Sequence, residues 1–308
     1  MVDVSNVNRL ITSISAARGS ELKELSNFRV DAEPFKPTKQ VRDDTTKLLI
    51  RDHSGSPIAV LLFSDESLGT LPERAASFSS KAISFLPENV SSAILSPISY
   101  GNFEGMSYAI WPYRRQMSGL PVFRNFQRYL VANKVLSWLL DLTIHSRSPV
   151  GFAAVQDKFV QPMLHLAKSS GVDFAVKNDL LRFVSRINEG DWRPQQVIEH
   201  GDLWLGNVLI DRSSSFGITM IDWAGAKMDG HAFYDLARIS RSSKLSKAGY
   251  RKQVTSHCAV LDCEIDDSAG YLLSSFARLL QNLEHFPYSR FVQLLNSTYQ
   301  FHLERTGH

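Results

Sequence analysis

Residues 200–223 of this chain read HGDLWLGNVLIDRSSSFGITMIDW, and this stretch decides the fold. Two apolar, β-prone runs at residues 208–210 and 218–221 flank the polar residues 213–217, a pattern that predicts a hairpin. Such a hairpin brings Asn207 and Asp222 to neighbouring strand ends. Both residues then face the preceding loop, which carries Asp202.

The three side chains of this loop and hairpin suit phosphoryl transfer. Asn207 and Asp222 offer oxygen atoms, the ligands that Mg²⁺ prefers while it retains several waters. Asp202 can orient a substrate hydroxyl and accept its proton. Because phosphoryl transfer depends mainly on positioning and charge neutralisation, the stretch predicts a site of this kind. A simpler interpretation also exists for each residue, since an isolated Asp or Asn often caps a loop or ends a turn.

The same residues resemble a known enzyme family. HGDLWLGN followed by IDW is similar to the catalytic core of the aminoglycoside phosphotransferase and choline kinase-like family, small-molecule relatives of the protein kinases. His200, Asp202 and Asn207 match its H-x-D-x-x-x-x-N motif. Asp222 matches the metal-binding Asp that follows at the end of a strand.

The resemblance extends past the hairpin and implies an activity. Residues 229–237, DGHAFYDLA, resemble the family's G-D-P-x-x-D-L-A element, with Asp235 at its structural aspartate. The family implies ATP or GTP as co-substrate, Mg²⁺ on the two hairpin residues, and Asp202 as the base towards a small-molecule hydroxyl. His200 and Asp235 are expected to support the loop and not to react.

The N-terminal segment departs from the family pattern. The family places a phosphate-binding Lys on the third strand, whereas Leu61 or Leu62 stands at that position here. Residues 34–40, PFKPTKQ, contain no glycine, so their backbone cannot approach phosphates as a Gly-rich turn does. We therefore expect another cation to bind the phosphates, with Lys47 as the first candidate and Lys39 as the second.

Three further residues complete the predicted nucleotide side. Glu73, at the start of the next predicted helix, resembles the acid that pairs with the family's Lys. The helix dipole alone also favours an acid at that place. Trp111 and Tyr113 lie in the predicted hinge and are expected to contact the nucleotide.

Patterns along the 308 residues predict an α+β, bilobal protein-kinase-like fold. We expect an N-terminal helix at residues 1–27 and a small lobe at 28–113 with an antiparallel sheet and a helix. A larger, mainly helical lobe at 114–308 then carries the catalytic loop and the hairpin. The predicted strands are residues 28–35, 47–51, 57–63, 93–99 and 107–111, with turns at 52–56 and 101–105, and the main predicted helices are residues 72–87, 124–145, 156–169, 177–187, 271–283 and 291–303.

Composition narrows the expected partners. The formal charge is +3, and Lys and Arg are scattered without a basic block, which argues against a nucleic-acid partner. No apolar run has the length of a membrane span, and polar residues interrupt the N-terminus where a signal peptide would be apolar. Cys258 and Cys263 are expected to be reduced thiols. We expect a cytoplasmic protein without a membrane partner, and the sequence does not indicate an oligomeric state.

Two functions of different classes stay open at this point. The first is transfer of the γ-phosphate of ATP or GTP to a hydroxyl of an amino alcohol, a sugar or a related metabolite. The alternative is a catalytically impaired pseudokinase that acts as a binding or scaffolding module, which the missing third-strand Lys favours. A metal-dependent phosphoesterase fits less well, because its upstream D-x-H ligand pair is missing. Lys and Arg outnumber Asp and Glu in residues 238–308, which does not favour a polycationic acceptor.

Overall fold

The computed structural model describes residue 9 and residues 28–31, 45–65, 70–115, 121–284 and 286–307. The predicted helix at residues 1–27 lies outside these described residues apart from residue 9, and so do the glycine-free loop 34–40 and Lys39. The catalytic loop, the hairpin and the strand that carries Lys47 are all within the described part.

The N-terminal part folds into an antiparallel sheet with a long helix packed against it. Its strands are β1 (Phe28–Asp31), β2 (Thr46–Asp52), β3 (Pro57–Asp65), β4 (Ser99–Phe103) and β5 (Met106–Pro112), and helix α1 (Leu71–Phe85) follows β3. Among the described residues the strand order is β1-β2-β3-β5-β4. The predicted succession of three strands, a helix and two strands is therefore confirmed.

The β2–β3 hairpin closes through the predicted turn. The backbone N–H of Asp52 donates to Ser56 O (2.9 Å), and Asp52 Oδ1 accepts a hydrogen bond from the Ser56 N–H (2.9 Å). Gly55 adopts φ +82°, a left-handed conformation that favours glycine. This turn fixes the register in which Lys47 lies opposite Leu62.

The strand predicted at residues 93–99 is wrong. The chain forms the short helix α2 (Glu88–Ser91) before it, and β4 begins only at Ser99. The apolar run does make β contacts, but with the C-terminal hairpin: Leu95 N–H donates to Met220 O (3.1 Å) and Met220 N–H donates to Ala93 O (2.8 Å). The run is apolar because it joins the sheet part to the hairpin. The turn predicted at residues 101–105 is shorter in the structure and comprises residues 104–105.

The sheet presents two differently packed faces. Side chains alternate along a strand, so Leu61 and Leu62 belong to opposite faces of β3. Directly opposed residues of an antiparallel pair share a face, which puts Lys47 on the same side as Leu62. Leu62 packs against a buried cluster from α1, the segment before β4 and β5, and residues next to Asp222 pack against the same cluster. The cluster is Ala75, Ala76, Leu95, Ala109 and Trp111, and the residues next to Asp222 are Ile221 and Ala224. The Lys47 face of the sheet is therefore the face turned towards the hairpin.

The C-terminal part is mainly helical, which confirms the predicted fold class. Its helices are α3 (Pro121–Ser146), α4 (Phe152–Val155), α5 (Gln161–Ala167), α6 (Phe174–Glu189), α7 (Tyr234–Ser243), α8 (Lys247–Leu261), α9 (Asp267–Leu280) and α10 (Tyr288–Thr306), with a π-helical turn at Gln156–Val160 between α4 and α5. Short strands lie among them at β6 (Ser148–Pro149), β7 (Gln195–Glu199), β8 (Val208–Ile210), β9 (Ile218–Met220) and β10 (Lys227–Gly230).

A single large core joins these helices to the hairpin. Trp138 of α3 and Trp223 are both fully buried, and their rings meet edge to face with centroids 6.3 Å apart. Burying an aromatic ring of this size contributes roughly 2–3 kcal/mol. Because Trp223 directly follows Asp222, this packing also anchors the backbone that carries the predicted metal ligand.

Two sequence predictions concern properties of the whole chain. Cys258 and Cys263 are free thiols, as predicted. In the part of the chain that the structure describes, no helix combines the length and the apolar character needed to cross a membrane.

Candidate active site

The hairpin brings Asn207 and the segment of Asp222 together, as the sequence predicts. Val208 pairs with Met220 in the β8–β9 register, and the Ile221 N–H donates to Asn207 O (3.0 Å) beyond that pair. Asn207 is therefore one residue away from Asp222 across the hairpin. The polar turn closes through Ser214, whose Oγ donates to Ile218 O (2.5 Å).

Asp235 holds the backbone of the catalytic loop, residues 200–207. Its carboxylate, in the first turn of α7, accepts hydrogen bonds from the N–H groups of His200 (2.6 Å), Gly201 (3.1 Å) and Leu203 (3.3 Å). Burial raises the pKa of Asp235 to about 6, although these backbone bonds oppose the shift. The geometry agrees with the structural role expected for Asp235.

His200 connects the loop to the hairpin. Its Nε2 lies 2.9 Å from Ile221 O, so Nε2 carries the proton and donates it, since a carbonyl oxygen can only accept. Nδ1 is then the acceptor for the Asp202 N–H (3.3 Å). Burial lowers the pKa of the His200 imidazole and keeps the ring neutral, against the pull of the nearby Asp222 and Asp202 charges. This arrangement agrees with the expected supporting role.

Asp202 lies at the accessible edge of this framework, with 43% of its side chain exposed. Asn207 Nδ2 donates to Asp202 O (2.9 Å) and to Asp202 Oδ2 (3.2 Å). The other carboxylate oxygen, Oδ1, accepts a hydrogen bond from Arg238 of α7. The carboxylate is thus held in one orientation and still reaches solvent, as a group that meets a substrate hydroxyl must.

Asp222 is exposed and has an unusual backbone conformation. It adopts φ +66° and ψ +62°, and the 3₁₀ turn Trp223–Gly225 follows it directly. Left-handed Asp residues are uncommon, and such conformations concentrate at functional sites. Gly225 of this turn passes so close to Gly201 that a Cβ atom on Gly201 would overlap the Gly225 carbonyl. The loop and the Asp222 segment are therefore in direct backbone contact.

The donor set fits the Mg²⁺ that the family resemblance implies. Because Asn207 Nδ2 makes both hydrogen bonds to Asp202, the amide oxygen is turned away from them and can act as a ligand. Asp222 adds an exposed carboxylate. Among the described residues, no three His, Cys, Asp or Glu side chains form a closed metal site. Mg²⁺ commonly takes one or two protein oxygens and completes its shell with phosphates and water.

On the nucleotide side, Lys47 lies on the same face of the sheet as Leu62, one of the two residues at the position where the family is expected to have its Lys. Lys47 and Leu62 are opposed across β2 and β3, and Leu62 and Ile221 both pack against the cluster that contains Ala75 and Trp111. Glu73 lies in the first turn of α1, where its N–H donates to Ser107 Oγ (3.2 Å). Glu73 takes part in none of the ion pairs found between described residues. The predicted Lys47–Glu73 pairing is therefore absent from this part of the structure.

The two hinge residues are held by the protein itself. Trp111 is only 6% exposed and packs beside Ala109 and α1, and its indole N–H has no acceptor among the described residues. The Tyr113 N–H donates to Ile58 O (2.8 Å), so this group is engaged within the sheet. Contact of either residue with a nucleotide stays a prediction.

Two residues next to the motifs are buried. Sequence proximity puts Glu199 and His231 near the acceptor, but both lie in the interior, and the Glu199 carboxylate accepts the His231 N–H (2.8 Å). Asp229, also near the motifs in sequence, keeps 44% of its side chain exposed and pairs with Lys158 (2.9 Å) and with Arg278 (3.1 Å). Nearness in sequence does not reveal these partners.

Arg238 is a site residue that the motifs do not include. Its contact with Asp202 joins residues 36 positions apart in the chain. A signal did exist: Asp235, Arg238 and Ser242 recur at intervals of three and four, which places them on one face of a helix. All three contact the catalytic loop, since Ser242 Oγ accepts the Leu205 N–H (3.1 Å).

Comparison with known proteins identifies the family of the chain. The family described as "Phosphotransferase enzyme family" matches residues 98–255, slightly more than half of the chain. No curated protein sequence matches the chain significantly.

Among solved structures, a choline/ethanolamine kinase family protein from Mesorhizobium loti is similar, with 12% identity and a TM-score of 0.51 over 96% of this chain and 95% of that one. A thermostable mutant of the aminoglycoside phosphotransferase APH(4)-Ia, in a ternary complex with ADP and hygromycin B, gives 14% identity and a TM-score of 0.50 over 92% and 95%. These likenesses confirm the kinase-like fold, and the family match includes the catalytic loop, the hairpin and α7. The chain belongs to the phosphotransferase enzyme family.

Proposed function

We propose that this protein transfers the γ-phosphoryl group of ATP or GTP to a hydroxyl group of a small molecule. The observation that carries the proposal is the pairing of Asp202 with Asn207 beside Asp222. One amide group of Asn207 fixes the Asp202 carboxylate and leaves its own oxygen available for a metal. A phosphoryl-transfer site requires these two functions to lie side by side.

Asp202 acts on the acceptor in this proposal. Its carboxylate orients the attacking hydroxyl and accepts its proton as the bond to phosphorus forms. The His200 ring and the Asp235 carboxylate hold the loop backbone, so the carboxylate keeps its position without reorganisation during the reaction. Both of these supporting residues act through Asp202 and do not touch the substrate.

Asn207, Asp222 and Lys47 act on the phosphates. Mg²⁺ held by Asn207 and Asp222 would neutralise charge on the phosphate oxygens and bring the phosphates into line with the acceptor. Lys47 supplies the cation that the third strand lacks, because a long side chain on β2 projects from the same face as Leu62. Glu73, Trp111 and Tyr113 complete the proposed nucleotide side.

The solved relatives support the choice of substrates. One of them is a phosphotransferase that contains ADP together with hygromycin B, and another is described as a choline/ethanolamine kinase family protein. A nucleotide co-substrate and a small hydroxylated acceptor are therefore our first choice for this protein as well.

A screen for the nucleoside diphosphate released on phosphoryl transfer tests the proposal. Purified protein with Mg²⁺ and ATP is tested against a library of metabolite alcohols for acceptor-dependent ADP release, and GTP with GDP release follows in parallel. Asp222→Asn is the matched variant, because it removes one charge and keeps the side-chain size. We expect calorimetry to show weaker Mg²⁺-dependent nucleotide binding in Asp222→Asn, and equal affinity in the two proteins would contradict the metal assignment.

A pseudokinase is the second candidate, and Leu62 is the observation that favours it. An apolar side chain, packed against the buried cluster that contains Ala75 and Trp111, stands where the family resemblance puts the phosphate-binding cation. Under this alternative the protein binds nucleotide, or fails to bind it, without acceptor-dependent turnover. The same screen separates the two functions, because any acceptor that releases ADP or GDP in parent protein and not in Asp202→Ala excludes the pseudokinase.

A further inference from the structure

Arg238 is fixed beside the carboxylate that is proposed to meet the acceptor. It lies on α7 one turn after Asp235 and one turn before Ser242, and all three side chains contact the catalytic loop. Its Nη2 donates to Asp202 Oδ1. A hydroxyl that reaches Asp202 therefore meets a guanidinium group at the same place.

This guanidinium has donors to spare. Only one of its three nitrogen atoms has an acceptor among the described residues, and Nε is buried without one. The Arg238 side chain is 23% exposed, and that of its partner Asp202 is 43% exposed. A planar guanidinium binds carboxylate or phosphate oxygens through two parallel hydrogen bonds. The group can therefore hold an anion without leaving the helix face.

The surroundings add positive charge. Burial, together with the nearby charges of Arg238 and Arg305, lowers the pKa of Arg241, which shows that three arginines share this region. Arg241 itself donates to Ser297 Oγ (3.2 Å) and Thr298 Oγ1 (2.6 Å).

Acidic residues of the last helices are engaged elsewhere. Asp266 and Asp267 pair with arginines of α6, and Glu284 pairs with Arg74 of α1. The charges close to Arg238 are the carboxylates of Asp202 and Asp235 and the guanidinium of Arg241. The N–H groups of Arg238 that have no acceptor are therefore what this site offers an anion.

We propose that the acceptor alcohol carries an anionic group, a carboxylate or a phosphate monoester, which binds Arg238 while the hydroxyl binds Asp202. This inference rests on the proposed function and names the substrate class for that site. Hydrogen bonds of about 2.7–2.9 Å to two touching side chains place the two ligand groups roughly two to four bonds apart. Arg238 is then a specificity-determining residue as well as a partner of Asp202.

Matched acceptor pairs test this inference. Glycerate is compared with glyceramide, and glycerol 3-phosphate with glycerol, at fixed Mg²⁺ and nucleotide. We expect the charged member of at least one pair to have a kcat/KM at least about tenfold higher. The first pair reports a carboxylate and the second a phosphate monoester, so the two sources of charge are distinguished.

Variants of α7 locate the preference. Arg238→Gln should reduce the charged-to-neutral ratio to nearly one, mainly through the KM of the charged acceptor, and Arg238→Lys should restore part of it as a point charge. Arg241→Gln removes an equal charge from the same helix without touching Asp202, and it should lower the ratio much less than Arg238→Gln does. A ratio that survives in Arg238→Gln, or an equal loss on charged and neutral acceptors, would overturn the inference. A change confined to the KM of the nucleotide would overturn it as well.

A binding measurement keeps the two proposals apart. If no alcohol releases ADP or GDP, the proposed function fails, and calorimetry with the same four compounds still tests Arg238. Binding of glycerate or glycerol 3-phosphate that is lost in Arg238→Gln and kept in Arg241→Gln supports the anion site. No binding of either anion, or binding that ignores Arg238, contradicts it.

Discussion

The catalytic loop and strand β2 each present a charged side chain, but they fix it in different ways. Asp202 is held from three directions, by the Asn207 amide, by Arg238 and by the His200 ring that accepts its backbone N–H. Strand register puts Lys47 opposite Leu62, on one face of the sheet. A loop held by side-chain hydrogen bonds, such as the catalytic loop, requires a particular residue at each bonded position. A sheet face can accept its cation from either of two neighbouring strands, which lie only about 4.8 Å apart.

This difference explains why the family motif is complete in one region and incomplete in the other. Replacing Asp235 would leave three buried N–H groups of the loop without an acceptor, and each such group costs about 1–3 kcal/mol. No comparable penalty attaches to a Leu at position 62, which gains apolar contacts. Relocation of the cation to Lys47 is therefore a proposal that the Lys47 variants below test against its loss.

The largest expected effect is that of Asp202→Ala. We expect kcat/KM to fall by about 10²–10⁴-fold, because the positioned base is lost, while nucleotide affinity stays within about threefold. Steady-state kinetics and calorimetry measure the two quantities. Asp202→Asn is the control that preserves size and the contact with Asn207, and it should lose nearly as much activity. Turnover within about tenfold of the parent in either variant, about 1.4 kcal/mol, would show that Asp202 is not the base.

The next effect concerns stability and compares two glycines of equal backbone conformation. Gly201 has φ +81° and lies against Gly225, whereas Gly55 has φ +82° with open space around it. Alanine at Gly55 should cost only the left-handed strain, about 1 kcal/mol. Alanine at Gly201 adds overlap with a backbone carbonyl and should cost about 3 kcal/mol or more. Urea unfolding of both variants measures the difference, and equal losses would mean that the loop tolerates separation from the Asp222 segment.

A smaller effect is expected for Lys47→Met. Loss of a phosphate contact that serves both ground and transition states should raise the nucleotide KM and lower kcat, with kcat/KM reduced about 10–100-fold. Adding Leu62→Lys to this variant should recover much of the loss, because the two positions share a face. Arg51→Met, at the far end of β2, removes an equal charge and should have little effect.

Unchanged kinetics in Lys47→Met would contradict the proposal that Lys47 supplies the phosphate-binding cation from the sheet. The cation would then have to come from elsewhere, with Lys39→Met as the next variant to measure. Loss of activity in Lys47→Met that Leu62→Lys fails to repair would instead mean that Lys47 acts from its own strand position and that the two strands are not interchangeable.

Sequence alone predicts the hairpin and its motif because their signals lie within a single short stretch. Residues 208–210 and 218–220 pair as their apolar pattern predicts, and Asp235 follows at the family's spacing. The helices α3, α6, α9 and α10 also follow their apolar periodicity, with ends displaced by a few residues.

Sequence fails where the partner of a residue is far away in the chain. The run at residues 93–99 has the composition of a strand, but its partner is Met220, which local patterns cannot identify. Arg238 has no motif of its own and becomes a site residue only when α7 docks on the loop. His231 is next to a motif, yet strand pairing turns it into the core. In each case the local sequence does not show which part of the protein the segment packs against.

The smallest expected effect concerns His231 in the core beneath the catalytic region. Its ring is 1% exposed and stacks on Phe159 with centroids 4.1 Å apart. Burial, reinforced by the charges of Arg278 and Lys227, lowers the pKa of His231 well below 6.5. The unfolded chain therefore binds more protons than the folded one as the pH falls below about 6.5, so the free energy of unfolding decreases towards acid.

Replacing this ring by one that cannot titrate should flatten that dependence. Between about pH 7 and about pH 5.5, titration of His231 lowers the free energy of unfolding by up to about 1.4 kcal/mol per pH unit. We expect His231→Phe to abolish this decrease, while the new ring keeps the stack on Phe159. His200 and His257 are also buried with lowered pKa values and contribute a dependence of the same sign. Asp235, whose pKa burial raises to about 6, contributes the opposite sign, so the effect of His231 is the difference in slope between the parent and His231→Phe. Phe159→Leu is the control, since it weakens the same stack without removing a titrating group. It should lower stability at every pH and leave the slope unchanged, and a parent-like slope in His231→Phe would contradict the assignment of the acid sensitivity to His231.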